Sequence, residues 1–204
     1  MNSAAAFEGT RFEMVQLFIG HKLLLLNLYL PTFLYSRKRS NDIEALFSRY
    51  RQKGVLVDTN ILLLYFVGAT NRERISRFNR TQNFIPEDYD LLLQVLSYFQ
   101  TVATTPNILT EVNSLANQLG EPDRSQCFAL FAQGISTFEE TYLESRGVVM
   151  DQQFTKFGLT DCGILSLARD QYLVLTDDLR LADYLQRQEI DTVNFNNLRV
   201  FGWQ

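Results

Sequence analysis

Residues 54–66 read GVLVDTNILLLYF, and this stretch predicts the first unit of the fold. The three apolar residues before Asp58 predict a short buried strand, because a central strand of a parallel sheet is covered on both faces. The apolar run after Asn60 predicts a helix. Gly54 is predicted to end another helix that lies before it in the chain. We therefore expect a buried strand whose carboxyl end delivers Asp58 to the start of a helix.

The same alternation of short apolar runs and longer helical stretches continues along the chain. Further strands are predicted over 102–105, 148–150, 173–176 and 192–195, with a loop or short helix over 71–80. Helices are predicted over 60–66, 87–99, 107–119, 124–146, 160–169 and 179–188, with Thr160 as a cap. The alternation predicts an α/β fold, a three-layer α/β/α sandwich with a mainly parallel central sheet.

The composition disfavours several other classes of protein and site. Apolar residues make up 46% and charged residues 21% of the 204 residues, which fits a globular protein and not a disordered chain. Only Cys127 and Cys162 are present, and His21 is the single histidine. A disulfide framework, a zinc site and a Ser-His-Asp triad are therefore all disfavoured. Any chemistry is expected to come from carboxylates.

The first 53 residues are predicted to be a helical extension of unknown role, and residues 54–204 the main domain. Residues 1–53 carry eight Lys or Arg against four Asp or Glu, whereas the rest carries eleven against nineteen. Residues 17–35 are apolar but contain a lysine and a proline, so we expect a helix that packs on the domain or on a partner. The protein is expected to be cytoplasmic. Association with a membrane surface and a start at Met14 are the alternatives. Residues 40–53 predict an amphipathic helix capped by Ser40.

Acidic residues follow the predicted strands, near the point where each strand ends. Five acids share this position: Asp58, Glu111, Asp161, Asp177 and Asp178. Sites in open parallel sheets form beyond the carboxyl ends of the strands, so we expect these side chains to converge. Converging carboxylates repel one another, and a bound Mg²⁺ or Mn²⁺ would relieve that repulsion. The expected reaction is hydrolysis of a phosphodiester by water. For each acid alone, the alternative is a helix cap or a solvated helix residue.

Four segments resemble, in order, the motifs of the PIN domain family: VLVDTNILL (55–63), TTPNILTEV (104–112), GLTDCGILSLA (158–168) and LVLTDDLRLADYL (173–185). The resemblance covers residues 54–204 and implies an α/β/α sandwich with Mg²⁺- or Mn²⁺-dependent ribonuclease activity. By resemblance, the metal-binding and catalytic acids are Asp58, Glu111, Asp161 and Asp178, and Asp177 at the variable position is a further candidate ligand. The resemblance also implies that hydrogen bonds to the acids come from Thr59, Asn60 and Thr176.

The resemblance also implies partners. Many small bacterial members of the family are toxins of toxin–antitoxin pairs and are often dimeric, so RNA, a small antitoxin protein and a second copy of the chain are the expected partners. Two features depart from that small type. Residues 1–53 have no counterpart, and residues 71–86 enlarge the connection between Asp58 and Glu111. Both weaken the toxin interpretation without affecting the nuclease one.

Basic and aromatic residues near the first motif are candidate contacts to RNA. The basic ones, which would grip the phosphate backbone, are Arg72, Arg74, Arg77 and Arg80. Phe78 and Phe84 are candidates for stacking on unpaired bases, and the alternative is a solvated loop with buried aromatics. The apolar stripe within 124–146 predicts core or a dimer surface; it comprises Phe128, Leu130, Phe131 and Phe138.

Two other functions compete with the nuclease. One is a catalytically silent PIN-like module that binds nucleic acid or protein. The other is a phosphohydrolase acting on small phosphate esters, which is disfavoured because the chain lacks a nucleophilic aspartate motif and a Gly-rich phosphate loop.

Overall fold

The computed structural model describes residues 39–202, and within them five strands form one sheet in which every neighbouring pair is parallel. The strands are β1 (Val55–Val57), β2 (Val102–Thr104), β3 (Glu139–Glu140), β4 (Leu173–Thr176) and β5 (Thr192–Asn194). The helices are α1 (Arg39–Tyr50), α2 (Thr59–Thr70), α3 (Pro86–Tyr98), α4 (Pro106–Ala116), α5 (Asp123–Ile135), α6 (Ser145–Val148), α7 (Phe154–Ala168), α8 (Leu179–Arg187) and α9 (Phe195–Gly202), with a 3-10 helix over Arg72–Arg77. The predicted α/β class is confirmed, and the wholly parallel sheet is consistent with a three-layer α/β/α sandwich.

The strand order places β1 at the centre of the sheet. The order is β3-β2-β1-β4-β5, so the chain steps outward from β1 through β2 to β3 and then returns to the other side of β1. Val57, the last residue of β1, pairs with Leu175 on β4. The connections leave β1 and β4 in opposite directions, which makes their carboxyl ends the switch point where open α/β sheets bind ligands.

The core forms around β1 and the helix that follows it. All three residues of β1 have no exposed surface, and α2 is buried along most of its length. On α2, the Phe66 ring lies 4.8 Å from Phe131 and 6.1 Å from Phe138, centroid to centroid. The apolar stripe predicted on 124–146 therefore packs, at these two residues, into the core of this chain. Cys127 and Cys162 are free, buried thiols.

The long helix predicted over 124–146 is wrong, and so is the strand predicted over 148–150. The helix α5 ends at Ile135, where the hydroxyls of Ser136 and Thr137 donate to the carbonyls of Gln133 and Gly134. Side chains that satisfy the last carbonyls in this way compete with further helical turns. The strand β3 follows and pairs with β2 although both of its residues are exposed glutamates. Nothing apolar marks this strand, so its hydrophobic pattern is invisible in the sequence.

Most of the helix α1 belongs to the same compact unit as the sheet. That unit spans Asp42–Gln204. Ser40 lies inside α1 and is not its cap. Gly54 has φ +114°, and a Cβ there would lie 2.8 Å from the carbonyl oxygen of Thr101, so only glycine fits between α1 and β1. The prediction over 17–35 lies outside the described residues. None of the helices in the described part is long and apolar enough to cross a membrane.

Candidate functional site

Asp58 lies at the switch point of the sheet, directly after β1. Its backbone N–H donates to the carbonyl of Leu175 at 3.0 Å, which continues the β1–β4 ladder by one residue. Its side chain is 5% exposed and caps α2: one oxygen accepts from the Thr59 N–H at 2.6 Å, and the other accepts from the Thr176 hydroxyl at 2.6 Å. The capping alternative and the site interpretation therefore describe the same carboxylate.

Burial makes the Asp58 carboxylate costly to ionise. Loss of water is the largest cause that raises its pKa, and the charges of Asp177 and Glu111 add to it; against the lowering by the hydrogen bonds from Thr176 and Thr59, the result is a pKa of about 6. A buried carboxylate with like charges beside it is favourable only when a cation or a proton neutralises it.

Glu111 reaches the site from the first turns of α4, the helix that follows β2. Its carboxylate is exposed and accepts a hydrogen bond from the Thr59 hydroxyl at 3.0 Å. Since Thr59 follows Asp58 in the chain, the Asp58 and Glu111 carboxylates are linked through the first residue of α2 and its cap. The helix itself is started by Pro106 and by the Thr105 side chain, which caps the N–H of Ile108.

Asp161 reaches the site because α7 is broken at Gly158. This glycine has φ 77° and ψ −170°, a conformation reserved for glycine, so a second helical segment starts after it. Asp161 thus stands in the first turn of that segment, and the cap predicted at Thr160 is wrong because Thr160 is already helical. Burial raises the pKa of Asp161 to about 7, with further contributions from the charges of Asp58, Asp178 and Glu111.

Asp177 and Asp178 follow β4 and have different surroundings. The Asp177 carboxylate is half-buried and accepts from the Asn60 side-chain amide at 3.1 Å, and burial raises its pKa. The Asp178 carboxylate is exposed and caps α8 by accepting from the N–H groups of Arg180 at 2.6 Å and Leu181 at 3.1 Å. Both acids belong to the same negative cluster, and the half-buried one is Asp177.

The five predicted acids therefore act on one another electrostatically, and we call them the acid cluster: Asp58, Glu111, Asp161, Asp177 and Asp178. Carboxylate oxygens are the donors that Mg²⁺ and Mn²⁺ prefer. Burial is the main cause of the raised pKa values of Asp58, Asp161 and Asp177, and the neighbouring negative charges add to it; a divalent cation would offset those charges. Within residues 39–202 as they stand, no group of three or more His, Cys, Asp or Glu side chains is arranged to hold a metal ion. The donor chemistry of the cluster fits such a cation.

The metal-free protein is expected to lose stability as the pH rises from about 4 to about 7. The folded-state pKa values of about 6 for Asp58 and about 7 for Asp161 lie above the ordinary value of 3.8, so the folded protein holds more protons than the unfolded chain in this window. Stability is then fully present below the unfolded pKa and declines as pH rises. In urea unfolding with EDTA, Asp161→Asn should be more stable than wild type at pH 8 by about 2–4 kcal/mol.

The advantage of Asp161→Asn should shrink as the pH falls and approach zero below about pH 4, where wild-type Asp161 becomes protonated in both states. Asp183→Asn is the matched control, because Asp183 is an exposed carboxylate of α8 whose side chain is 70% exposed. If the difference in unfolding free energy between Asp161→Asn and wild type is constant across the pH range, the fold does not raise the pKa of Asp161.

The arginines proposed to contact RNA are partly used within the protein. Arg72 pairs with Asp90, Arg74 lies 3.1 Å from Asp123, and Arg80 donates to Gln118 at 2.9 Å. Arg77 is exposed and forms no salt bridge or side-chain hydrogen bond among the described residues. The prediction that Phe78 and Phe84 stack on unpaired bases is wrong, because these residues are only 6% and 2% exposed.

Sequence reasoning missed Asn196, which donates to the backbone carbonyl of Asp177 at 3.0 Å. The rule that selected the acids would have found it: Asn196 comes two residues after the carboxyl end of β5. Asn196 is a neutral amide, so it lacks the charge that marks the acids in the sequence.

The fold and the site together define an α/β protein with a parallel sheet and a carboxylate-lined site at the switch point. No family model matches the chain, and no curated protein sequence matches it at a significant level.

Proposed function

We propose that the protein is a metal-dependent endoribonuclease that hydrolyses RNA phosphodiester bonds. The observation that carries the proposal is the acid cluster at the carboxyl ends of the strands, with the buried Asp58 at its centre. Ionising a carboxylate buried among like charges is costly, and a bound cation would offset that cost. The four ordered segments that resemble the PIN family support the same conclusion and a PIN-like assignment of the sandwich.

Mg²⁺ or Mn²⁺ would be held by Asp58, Glu111, Asp161 and Asp178, with Asp177 as a further ligand. When bound, such a cation activates water and stabilises the charge that develops on the phosphate. Thr59, Asn60 and Thr176 orient three of the carboxylates through the hydrogen bonds described above. The attacking group is water: Cys162, next to Asp161, is buried and burial raises the pKa of its thiol, which suppresses the thiolate.

The biological setting is part of the proposal. The chain would act in the cytoplasm on RNA, either as the toxin of a toxin–antitoxin pair with a small antitoxin protein, or as a nuclease outside such a pair. A second copy of the chain is a further partner. Arg77, exposed and unpaired within the described part, is available to contact the phosphate backbone of RNA.

A cleavage assay with single-stranded RNA tests the proposal. Purified protein should cut the RNA with Mg²⁺ or Mn²⁺ and stop when EDTA is added, since the carboxylates alone cannot activate water at phosphate. Calorimetry should show Mn²⁺ binding to the wild type and none to the quadruple alanine variant of Asp58, Glu111, Asp161 and Asp178. Cleavage that continues at full rate in EDTA would contradict the proposal.

The competing function is a PIN-like module that binds nucleic acid or protein without cutting. The observation in its favour is that no metal-binding group is arranged within residues 39–202. Under this alternative, Mn²⁺ titration gives the same absence of heat for the wild type and for the quadruple alanine variant, and RNA, if bound, stays intact.

A further inference from the structure

Asn196 connects the C-terminal helix α9 to the acid cluster. Its side-chain amide donates to the backbone carbonyl of Asp177 at 3.0 Å, and its side-chain oxygen accepts from Arg199 at 3.0 Å. Its backbone N–H donates to the Asn194 side chain at 2.9 Å, and Asn194 is the last residue of β5. Asn196 is thus fixed from two sides, by the sheet and by its own helix.

Arg199 is itself fixed on a buried counter-ion. Its Nε donates to Asp88 at 2.9 Å, and Asp88 has no exposed surface. A second guanidinium nitrogen donates to the carbonyl of Asn83 at 3.0 Å, and the guanidinium carbon lies 5.5 Å from the centre of the Phe84 ring. The remaining Asp88 oxygen accepts from the Ile85 N–H at 2.9 Å, at the start of α3. The guanidinium therefore cannot turn away from Asn196 without breaking contacts to α3 and to the segment before it.

Asp177 is consequently held at two points by two elements. Asn60 on α2 binds its carboxylate, and Asn196 on α9 binds its carbonyl. Repulsion within the acid cluster would otherwise drive this half-buried carboxylate toward solvent. Both holding groups are neutral amides, so they orient Asp177 without cancelling the negative charge that the cluster offers to a cation.

We infer that Asn196, aligned by Arg199, is a positioning residue that fixes the Asp177–Asp178 turn for metal binding. The inference rests on the proposed function for its consequence and on the described contacts for its mechanism. Groups that orient metal ligands through hydrogen bonds typically affect metal affinity 10–100-fold, so their loss is measurable. Asn196 does not touch the metal or the RNA itself.

Asn196→Ala tests the inference in two measurements. In the metal-free protein, the Asn60 side-chain amide and the Asp178 backbone N–H should exchange with solvent about 3- to 10-fold faster by NMR, as expected for the loss of one hydrogen bond. In calorimetry, the Kd for Mn²⁺ should rise about 10-fold or more. If the RNA is cut, kcat should fall with little change in KM, because Asn196 is not a substrate contact.

Gln186→Ala is the matched control, because Gln186 also donates a side-chain amide to a backbone carbonyl, that of Thr192, at 3.1 Å. Thr192 begins β5, at the end of the sheet away from the cluster. Asn196→Ala that behaves like Gln186→Ala in both measurements overturns the inference, and so does faster exchange with unchanged Mn²⁺ affinity. If the wild type binds no Mn²⁺, the proposed function fails, and the exchange measurement alone decides whether Asn196 holds the turn.

Discussion

Asp58→Asn is expected to lower the proposed RNA cleavage roughly 10²- to 10⁴-fold while leaving the fold intact, because several kcal/mol of transition-state stabilisation would depend on the proposed cation site. Asparagine has the same shape as aspartate and keeps one side-chain oxygen. That oxygen can accept from the Thr59 N–H, which donates to the Asp58 carboxylate at 2.6 Å in the wild type. It removes the negative charge at the point where β1 and β4 meet. The measurement is the initial rate of cleavage of single-stranded RNA with saturating Mn²⁺.

A measurement of stability shows whether the lower activity of Asp58→Asn comes from the lost charge or from unfolding of the protein. The buried Asp58 carboxylate has its pKa raised to about 6, so its ionised form is unfavourable in the metal-free protein at pH 8. In EDTA, Asp58→Asn should therefore unfold at the same urea concentration as the wild type or a higher one. A variant that is fully folded and still cuts RNA at the wild-type rate would show that the activity arises elsewhere or from a contaminant.

The carboxyl ends of strands were the most informative feature of the sequence. A short apolar run followed by a polar residue and a helix predicts where the chain leaves the sheet, and this is a local property. The helix and strand at 55–66 and the strand at 173–176 follow directly from it. The same rule predicts that the acids occupy one edge of a parallel sheet, since all carboxyl ends lie at that edge.

The strand order could not be predicted in the same way. The Thr176 hydroxyl reaches Asp58 across 118 residues of sequence because β4 pairs with β1. Ladder hydrogen bonds join backbone groups and carry little sequence information, so several orders fit the same strands. The strand β3 could not be predicted for a different reason. Its two exposed glutamates have no apolar pattern, and the strand is defined only by its pairing with β2.

Within the site, charge was visible in the sequence and orientation was not. The sequence does not reveal that Asp177 is half-buried while Asp178 caps α8, because both follow the same strand. The kink at Gly158 was hidden too, since glycine is compatible with many conformations and the apolar pattern of α7 runs through it. Neutral groups that hold the acids, such as Asn196, depend on the three-dimensional arrangement of β4 and α9.

Arg199→Leu is expected to destabilise the protein by about 3–5 kcal/mol, because it leaves the Asp88 carboxylate buried without its partner. Asp88 has no exposed surface, and the Arg199 side chain is only 25% exposed. The substitution also removes the hydrogen bonds that the guanidinium donates to the carbonyl of Asn83 and to the side chain of Asn196. The free energy of unfolding in urea, measured at pH 7 in EDTA, gives the effect without any contribution from metal.

Arg187→Leu is the control, because its pair with Asp183 has an N···O distance of 3.8 Å and side chains that are 78% and 70% exposed. Such a surface pair contributes below about 1 kcal/mol, so this variant should unfold almost as the wild type does. Adding Asp88→Asn to Arg199→Leu should recover part of the loss, since the amide is neutral and its oxygen still accepts from the Ile85 N–H. Equal destabilisation by the two arginine variants, or no recovery in the double variant, would mean that the buried charge of Asp88 does not govern the packing of α9 on α3.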